Sequence, residues 1–574
     1  MERRHFFQSF GAVATGALAG SAAASPAPSP QTTRHCDKEP RVFFYDDGRH
    51  ASGLYQFAPP LTPADFTYTV DQLVSSGVDT LIYMAGLEGG VVQYDSKVAP
   101  KWGENVDQWV HPIFYRASRL LHQLIADGHD PMELLCRRCH EKGIVFIPSN
   151  NVCIVGGDRA ASIGYGRTSD FVYNHPQYYV GPDNDARAQR SERFFRPERM
   201  SFLHADVRKE RFLIFEELLT QYETDGIELD LSIDNEFGPY CRFDQIGQLA
   251  PILTEWVRDL RAIAAREEQA QGRRKRIYAR IPVGPATVWD SLGFDVATWV
   301  QEQLVDGFIC LGNHESFLDQ QLDLTAIRQV THNTSCRVLV GLCCNLGRQL
   351  ESSATPPMIW AAAALAYAQG AEGVGLCDGM WAPNGWPWQA EDYQTLRLLG
   401  HPDLLQTADK VYLARSYARN GQKEGMSPPA GPVLPLPLTP GKALELSLSI
   451  ADDLPQFHDQ GRVASVRLRV RLTNFEHTLD EVSVSLNGRN LPESLERRID
   501  LHFRVLKLGA INPYGYVLEY LLPLGEYPKQ GQNVVRVELV KRDPLMKPPV
   551  EVYDVDCSIE YRLHRHFESR PIDY

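Results

Sequence analysis

The sequence predicts an α/β chain, a (β/α)8 barrel of the TIM type followed by an antiparallel β-sandwich, on two observations. Between residues 41 and 405 short β-branched runs alternate with longer amphipathic stretches, as parallel strands alternate with crossover helices. Beyond a proline-rich stretch at 428–440 the apolar period falls to two, with turn dipeptides at Asn487-Gly488 and Gln530-Gly531, the texture of antiparallel strands packed as a sandwich.

Eight strands are expected in the first region, at 42–45, 80–84, 144–148, 226–231, 277–281, 307–311, 338–342 and 373–377. Between them, 63–76, 116–127, 206–222, 246–266 and 356–369 carry apolar residues at helical spacing. A phrase recurs where a helix pattern meets a strand: Gly77-Val78-Asp79, Asp225-Gly226-Ile227, Asp306-Gly307-Phe308 and Glu372-Gly373-Val374. Its glycine is expected to close the helix and turn the chain into the sheet. An open doubly wound sheet would place a Gly-rich phosphate-binding turn after the first strand, and none follows 42–45. The expected division is an export signal at 1–24, a linker at 25–40, the barrel as catalytic domain at 41–405, a connecting segment at 406–440 and the sandwich at 441–574. The sandwich is expected to pack against and stabilise the barrel, with carbohydrate binding as the alternative.

Composition narrows the partners. At 574 residues, 43% of them hydrophobic and 23% charged, the chain needs more than one core. A net charge of −14 without any long Lys/Arg run argues against nucleic acid as a partner. Arg3-Arg4 ahead of a Gly/Ala-rich run at 10–24 resembles a twin-arginine export signal, and the run is too short and weakly apolar for a membrane span. An exported protein, periplasmic or extracellular and without stable membrane insertion, is expected. The eleven cysteines, several inside apolar runs (Cys310, Cys343, Cys344, Cys377), are expected to be mostly unpaired. Cys136-Arg137-Arg138-Cys139-His140 matches the c-type haem attachment pattern. It falls in a helical stripe that should pack on the barrel, so neither haem nor zinc is expected there, and no cofactor or metal elsewhere.

In such a barrel the chemistry belongs at the C-terminal ends of the strands. On the fourth, Glu228, Asp230 and Ser232 alternate with Ile227, Leu229 and Leu231, so the polar side chains share one face. Asp230 is the first catalytic candidate, as nucleophile or base. Glu228 lies deeper on the same face, where two like charges would push one pKa upward. Glu315 after the sixth strand and Asp378 after the eighth complete the set, as candidate acids. Asn150, Asn151, His204, Arg280 and His314 lie at or near strand ends and are candidates for hydroxyl recognition. Asp46 and Asp47 could bind hydroxyls or close a turn. Trp381, Trp386 and Trp388 follow the eighth strand as candidate stacking platforms for sugar rings, which Trp102, Trp109 and Trp289 would extend.

The phrase Asp225-Gly226-Ile227-Glu228-Leu229-Asp230, preceded by Phe202-Leu203-His204-Ala205-Asp206-Val207-Arg208 and a long helix, resembles the family-ten-like glycosyl hydrolases. Gly293-Phe294-Asp295-Val296 with Trp299, Leu304-Val305-Asp306-Gly307 and the later Ser485-Leu486-Asn487-Gly488 extend the resemblance over nearly the whole chain. It implies a glycosidase-related TIM barrel with a C-terminal β-sandwich, and it specifies the fold better than the substrate. The chain departs from related patterns. Ser232 stands where chitinase-type barrels carry an acid, Ile233 replaces an arginine, and Cys343-Cys344-Asn345 ends the seventh strand without a carboxylate. A chitinase mechanism, and a retaining one with its nucleophile on the seventh strand, are therefore disfavoured. The expected function is that of a glycoside hydrolase or related glycan-processing enzyme acting on poly- or oligosaccharide through paired carboxylates. The alternative is a non-catalytic glycan-binding barrel.

Export is testable directly. Replacing Arg3 and Arg4 together by lysine is expected to leave the precursor in the cytoplasm, which cell fractionation would detect; unchanged export would refute the twin-arginine reading.

Overall fold

The computed structural model describes residues 38–48, 53–189, 195–232, 237–312, 317–346, 353–377, 388–416, 431–501 and 515–566. Eight parallel strands close into a barrel in chain order: β1 (Val42–Asp46), β2 (Thr80–Gly86), β3 (Val145–Asn151), β4 (Gly226–Asp230), β5 (Arg276–Pro282), β6 (Gly307–Leu311), β7 (Arg337–Leu342) and β8 (Gly373–Leu376). β8 returns to pair with β1, setting Gly375 opposite Phe43. All eight lie where the β-branched runs predict them, with ends displaced by at most three residues. Long helices cover the barrel, among them Pro63–Leu73, Pro112–Ala126, Pro131–Lys142, Ala205–Thr220, Ile246–Gln271 and Pro356–Ala368. Four of these open with proline in the first turn, where its missing N–H costs nothing. Thr62 and Asp130 cap two of those starts by accepting the N–H of Asp65 and of Met132.

The recurring acid-glycine phrase has a different job from the one expected. Its acid is the working residue. The N–H of Phe146 on β3 donates to Asp225 Oδ2 at 2.8 Å, that of Ile277 on β5 to Asp306 Oδ2 at 2.8 Å, and that of Val338 on β7 to Glu372 Oε2 at 2.7 Å. Asp79 accepts from Val42 on β1 at 3.3 Å. In each case the carbonyl of the same odd-strand residue accepts the N–H of the acid, so backbone and side chain grip one residue together. The glycine after the acid, at Gly226, Gly307 and Gly373, opens an even strand where a Cβ would lie 2.1 to 2.8 Å from the carbonyl oxygen of Arg276, Arg337 or Arg41. Close approach between strands, rather than helix closure, requires glycine there.

The second domain is a sandwich of a six-stranded and a four-stranded antiparallel sheet. Its strands are β9 (Lys410–Leu413), β10 (Leu436–Pro437), β11 (Ala443–Ile450), β12 (Val463–Thr473), β13 (Glu481–Leu486), β14 (Arg489–Asn490), β15 (Glu496–Leu501), β16 (Gly515–Leu521), β17 (Gly531–Lys541) and β18 (Glu551–Tyr561). β9 and β10 fall in the segment expected to be a mere connection, yet both pair with β18. The other edge of β9 is closed from the barrel side. Gln320, in the segment after β6, exchanges hydrogen bonds with the Val411 carbonyl and the Leu413 N–H, and Gln321 donates to the Leu413 carbonyl. Ala361 and Leu365 of the helix Pro356–Ala368 belong to the sandwich core. Among the described residues no helix is long and apolar enough to cross a membrane.

The rim clamp makes a stability prediction. Asp225 is buried and also answers Arg273, at 3.3 Å, and His140, at 3.1 Å. Asp225→Ala takes the buried one of two carboxylates from the Arg273 guanidinium, leaving the exposed Glu223, and leaves the Phe146 N–H unanswered; it is expected to cost about 3–5 kcal/mol in denaturant unfolding. A loss below ~1 kcal/mol would show the clamp to be dispensable.

Candidate active site at the C-terminal end of the barrel

Strand register decides which residues can meet. Asn151 pairs with Asp230 across β3 and β4, and Asp230 with Arg280 across β4 and β5, while Ser149 pairs with Glu228 one step deeper. Paired residues point to the same face, so these five side chains line the lumen. Tyr45 joins them from β1, its ring 4.2 Å from the Arg280 guanidinium carbon. That contact spans the barrel and fixes the face as interior.

Within this cluster the two acids have unlike surroundings. Glu228, fully buried, accepts two parallel hydrogen bonds from Arg280, Nε to Oε1 and Nη2 to Oε2, both 2.9 Å. Such a fork holds a carboxylate in one orientation. Asp230 receives smaller donors. Asn151 Nδ2 donates to its Oδ2 at 3.0 Å, and the N–H and hydroxyl of Ser232 donate to its Oδ1 at 2.9 and 2.6 Å, with Arg280 Nε farther off at 3.7 Å. Burial pushes the Asp230 carboxyl from its ordinary value of 3.8 up to about 6; Arg280 and Ser232 oppose the rise and the Glu228 charge adds to it. Ser149 Oγ, beside Glu228, is buried without a hydrogen-bond partner.

Several expected site residues sit elsewhere. Asn150 is one residue out of phase. It pairs with Leu229 on the helix-facing side, and its Oδ1 accepts from Arg211 of the covering helix at 3.3 Å, so Asn151 takes the place expected for it. Arg280 reaches the lumen but is wholly buried and bound to Glu228, serving the carboxylates rather than sugar hydroxyls. Trp388 is buried against Phe44 and Tyr393 at ring distances of 5.1 and 5.8 Å, filling the gap between β1 and the helix Ala390–Leu399, and offers no platform. Trp102 and Trp289 are likewise buried, their indole N–H groups spent on the Tyr165 and Pro282 carbonyls; Trp109 is half-buried against Tyr115. Asp46 closes a turn, accepting from the Gly48 N–H at 2.8 Å and the Thr69 hydroxyl at 2.6 Å. Glu315, His314, Asp378, Trp381 and Trp386 lie outside the described residues. So does the N-terminal arginine pair.

His204 is found at the N-terminus of the helix Ala205–Thr220, half-buried and stacked on Tyr178 at 4.7 Å, which stacks in turn on His175 at 5.2 Å. This row of rings belongs to the segment after β3 and stands on the C-terminal face. Single aromatic letters scattered through a long loop gave no sequence signal for it. The Cys-x-x-Cys-His segment is core: Cys136 and Cys139 are buried free thiols, burial raises the Cys136 pKa, and His140 contacts Asp225. The ten cysteines among the described residues are all free and buried. Among the described residues no three His, Cys, Asp or Glu side chains are grouped to hold a metal ion.

No family model and no curated protein matches this chain. Solved structures do. A Paenibacillus cycloisomaltooligosaccharide glucanotransferase complexed with cycloisomaltoheptaose matches at 10% identity and a TM-score of 0.33, covering 90% of this chain and 57% of its own. A family 36 α-galactosidase from Geobacillus stearothermophilus in complex with 1-deoxygalactonojirimycin matches at 10% identity and a TM-score of 0.34, covering 88% and 56%. A maltogenic α-amylase from Thermotoga neapolitana matches at 10% identity and a TM-score of 0.32, covering 84% and 99%. The chain thus spans little more than half the length of the first two. Likeness at this level assigns no activity, and the chemistry of the barrel mouth has to come from its own residues.

Asp230 gives stability a pH signature. Its folded pKa, about 6, lies above the ordinary 3.8, so the folded chain binds this proton more tightly than the unfolded one. Its contribution to stability is full below the unfolded value and is lost as pH rises through the folded one. Thermal unfolding of the natural protein and of Asp230→Asn, compared from about pH 4 to pH 7, is expected to show a difference that changes across this window and is flat above it. A constant difference would contradict the environment described.

Proposed function

We propose that the protein is a glycan-processing hydrolase that cleaves O-glycosyl bonds at the C-terminal mouth of its barrel, with Asp230 as nucleophile or base. One observation carries this reading: two buried carboxyls stand on one strand, one clasped by an arginine fork and the other raised to about 6 by burial. A carboxyl whose proton affinity lies close to neutrality is what acid–base chemistry near neutral pH requires. At pH 7 Asp230 is mostly ionised, and a carboxylate held by Asn151 and Ser232 in a dry site can face the positive charge that develops on a sugar ring in the transition state. The stacked His175, Tyr178 and His204 supply rings of the sort on which sugar C–H faces pack. Glu315 and Asp378, in the sequence after β6 and β8, remain the candidates for the protonated partner. With this reading goes export to the periplasm or beyond, on the Arg3-Arg4 signal.

The commitment of Glu228 to Arg280 favours a second reading, a glycan-binding barrel without turnover, because it removes one lumen acid from proton transfer. Screening the purified protein on polysaccharides and aryl glycosides separates the two. Hydrolysis is expected, with kcat/KM falling below about pH 6 as Asp230 takes up its proton. Asp230→Asn is expected to lower kcat on the order of 10³-fold or more, roughly 4 kcal/mol of transition-state stabilisation, with little change in sugar affinity and no lowering of Tm at neutral pH. Near-normal turnover with a clearly lowered Tm would defeat the catalytic role. Saturable binding with no hydrolysis of any substrate would establish the binding barrel.

A further inference from the structure

Among the described residues, one buried charge near this site has no counter-group. Arg199 lies in the segment that bridges to Val155, shortly before the helix Ala205–Thr220, and is 1% exposed. Its Nη1 donates to the Pro239 carbonyl at 3.3 Å, which orients the guanidinium, while Nε and Nη2 have no hydrogen-bond partner among the described residues. Those two nitrogens form the same edge with which Arg280 clasps Glu228 by two bonds of 2.9 Å. The edge therefore has the geometry of a fork for an oxyanion. Burying a guanidinium in this way is costly unless a counter-charge and hydrogen bonds come to it.

The fork also stands beside the candidate active site. Pro239 precedes Tyr240, whose hydroxyl donates at 2.7 Å to the carbonyl of Leu231, the residue after Asp230. Burial raises the Tyr240 hydroxyl, and the charges of both Arg199 and Asp230 act on it. Cys153, two residues beyond Asn151, is pushed up to about 11 by burial against the pull of Arg199, Arg196 and Arg211, with Asp230 adding to the rise. The charges of Arg199 and Asp230 thus act on the same two side chains, Cys153 and Tyr240, in the segments that follow β3 and β4. Of the neighbouring cations, Arg211 is already paired with Glu210 at 2.6 Å. In a chain of net charge −14 an acidic ligand needs such a local cation to be held at all.

We propose that the Nε/Nη2 edge of Arg199 is a subsite for an oxyanion carried on the glycan, a carboxylate or a sulfate ester, which makes the substrate class acidic poly- or oligosaccharides. This rests on the glycan-processing reading of the Asp230 site. Arg199 is then a specificity-determining residue, not a participant in bond cleavage.

Calorimetric titration of the full chain tests it, using oligogalacturonate, oligoglucuronate, sulfated galactotetraose, the matching neutral oligosaccharides and inorganic sulfate. At least one acidic ligand is expected to bind tenfold or more tightly than its neutral counterpart, and the best ligand distinguishes carboxylate from sulfate. The preference is expected to vanish in Arg199→Met and to weaken strongly in Arg199→Lys, which keeps the charge but lacks the fork. Without ligand, Arg199→Met is expected to keep or raise its Tm, since an unanswered buried charge is removed; a structural role would lower it by several degrees. Equal binding of acidic and neutral ligands, a preference that survives in Arg199→Met, or that loss of Tm would each overturn the proposal. If Arg199→Met does not fold, Arg199→Lys alone carries the test. Asp230-dependent turnover of neutral glycans without acidic preference would refute the subsite and leave the glycan reading standing. Inorganic sulfate bound through Arg199 with no oligosaccharide bound at all would refute the glycan reading, and with it the substrate class.

Discussion

Four carboxylates at the N-terminal rim hold the barrel in register. Asp79, Asp225, Asp306 and Glu372 each reach from the start of an even strand to the N–H of an odd-strand residue whose carbonyl already receives the acid's own N–H. A slip of one residue would break both bonds at once and turn every side chain of the strand to the opposite face. The site at the far end of the strands inherits that precision. Asn151, Asp230 and Arg280 stand abreast on β3, β4 and β5 only because Phe146, Ile277 and their clamps are where they are.

Once the faces are set, charge does the rest. The lumen cluster holds one arginine against two acids, and Arg280 divides itself unequally, with a full fork to Glu228 and a more distant approach to Asp230. Burial pushes up the carboxyl with the weaker share of the guanidinium, Asp230, which ends near neutrality. The asymmetry is geometric in origin: Glu228 is one pleat deeper and has the longer side chain.

Much of this was legible in the sequence, because alternation and helical spacing are periodic signals. The eight strands, the polar face of β4 and the inward aim of Asp230 and Glu228 all follow from them. Asn150 and Asn151 show the limit: two identical residues in succession carry no phase, and only the pairing with β4 tells which one faces inward. Tryptophan is ambiguous for a related reason. A large amphipathic ring serves a loop anchor as well as a sugar platform, and Trp102, Trp289 and Trp388 are anchors. Ser232 was legible only as a missing acid, whereas its hydroxyl holds Asp230. The acid in the recurring phrase was visible, but its partner lies on a strand up to about eighty residues away, and no local pattern connects the two. Arg199 gives no sign in sequence because a buried guanidinium edge without a partner among the described residues is a property of its surroundings, not of its own letter.

The helix Pro356–Ala368 buries residues on every side, Met358, Ile359 and Trp360 towards the barrel core and Ala361 and Leu365 in the sandwich core. With β9 threaded between β18 and the two glutamines after β6, the C-terminal sheets act as the outer layer that this sector of the barrel lacks. Accessory modules joined by a linker can be exchanged between enzymes as independent pieces. This one cannot: a recipient barrel would need an equally oily helix between its seventh and eighth strands and amides placed to receive a foreign strand. Each domain therefore completes the burial of the other, and removing the sandwich would lay bare Ala361 and Leu365 and free both glutamines.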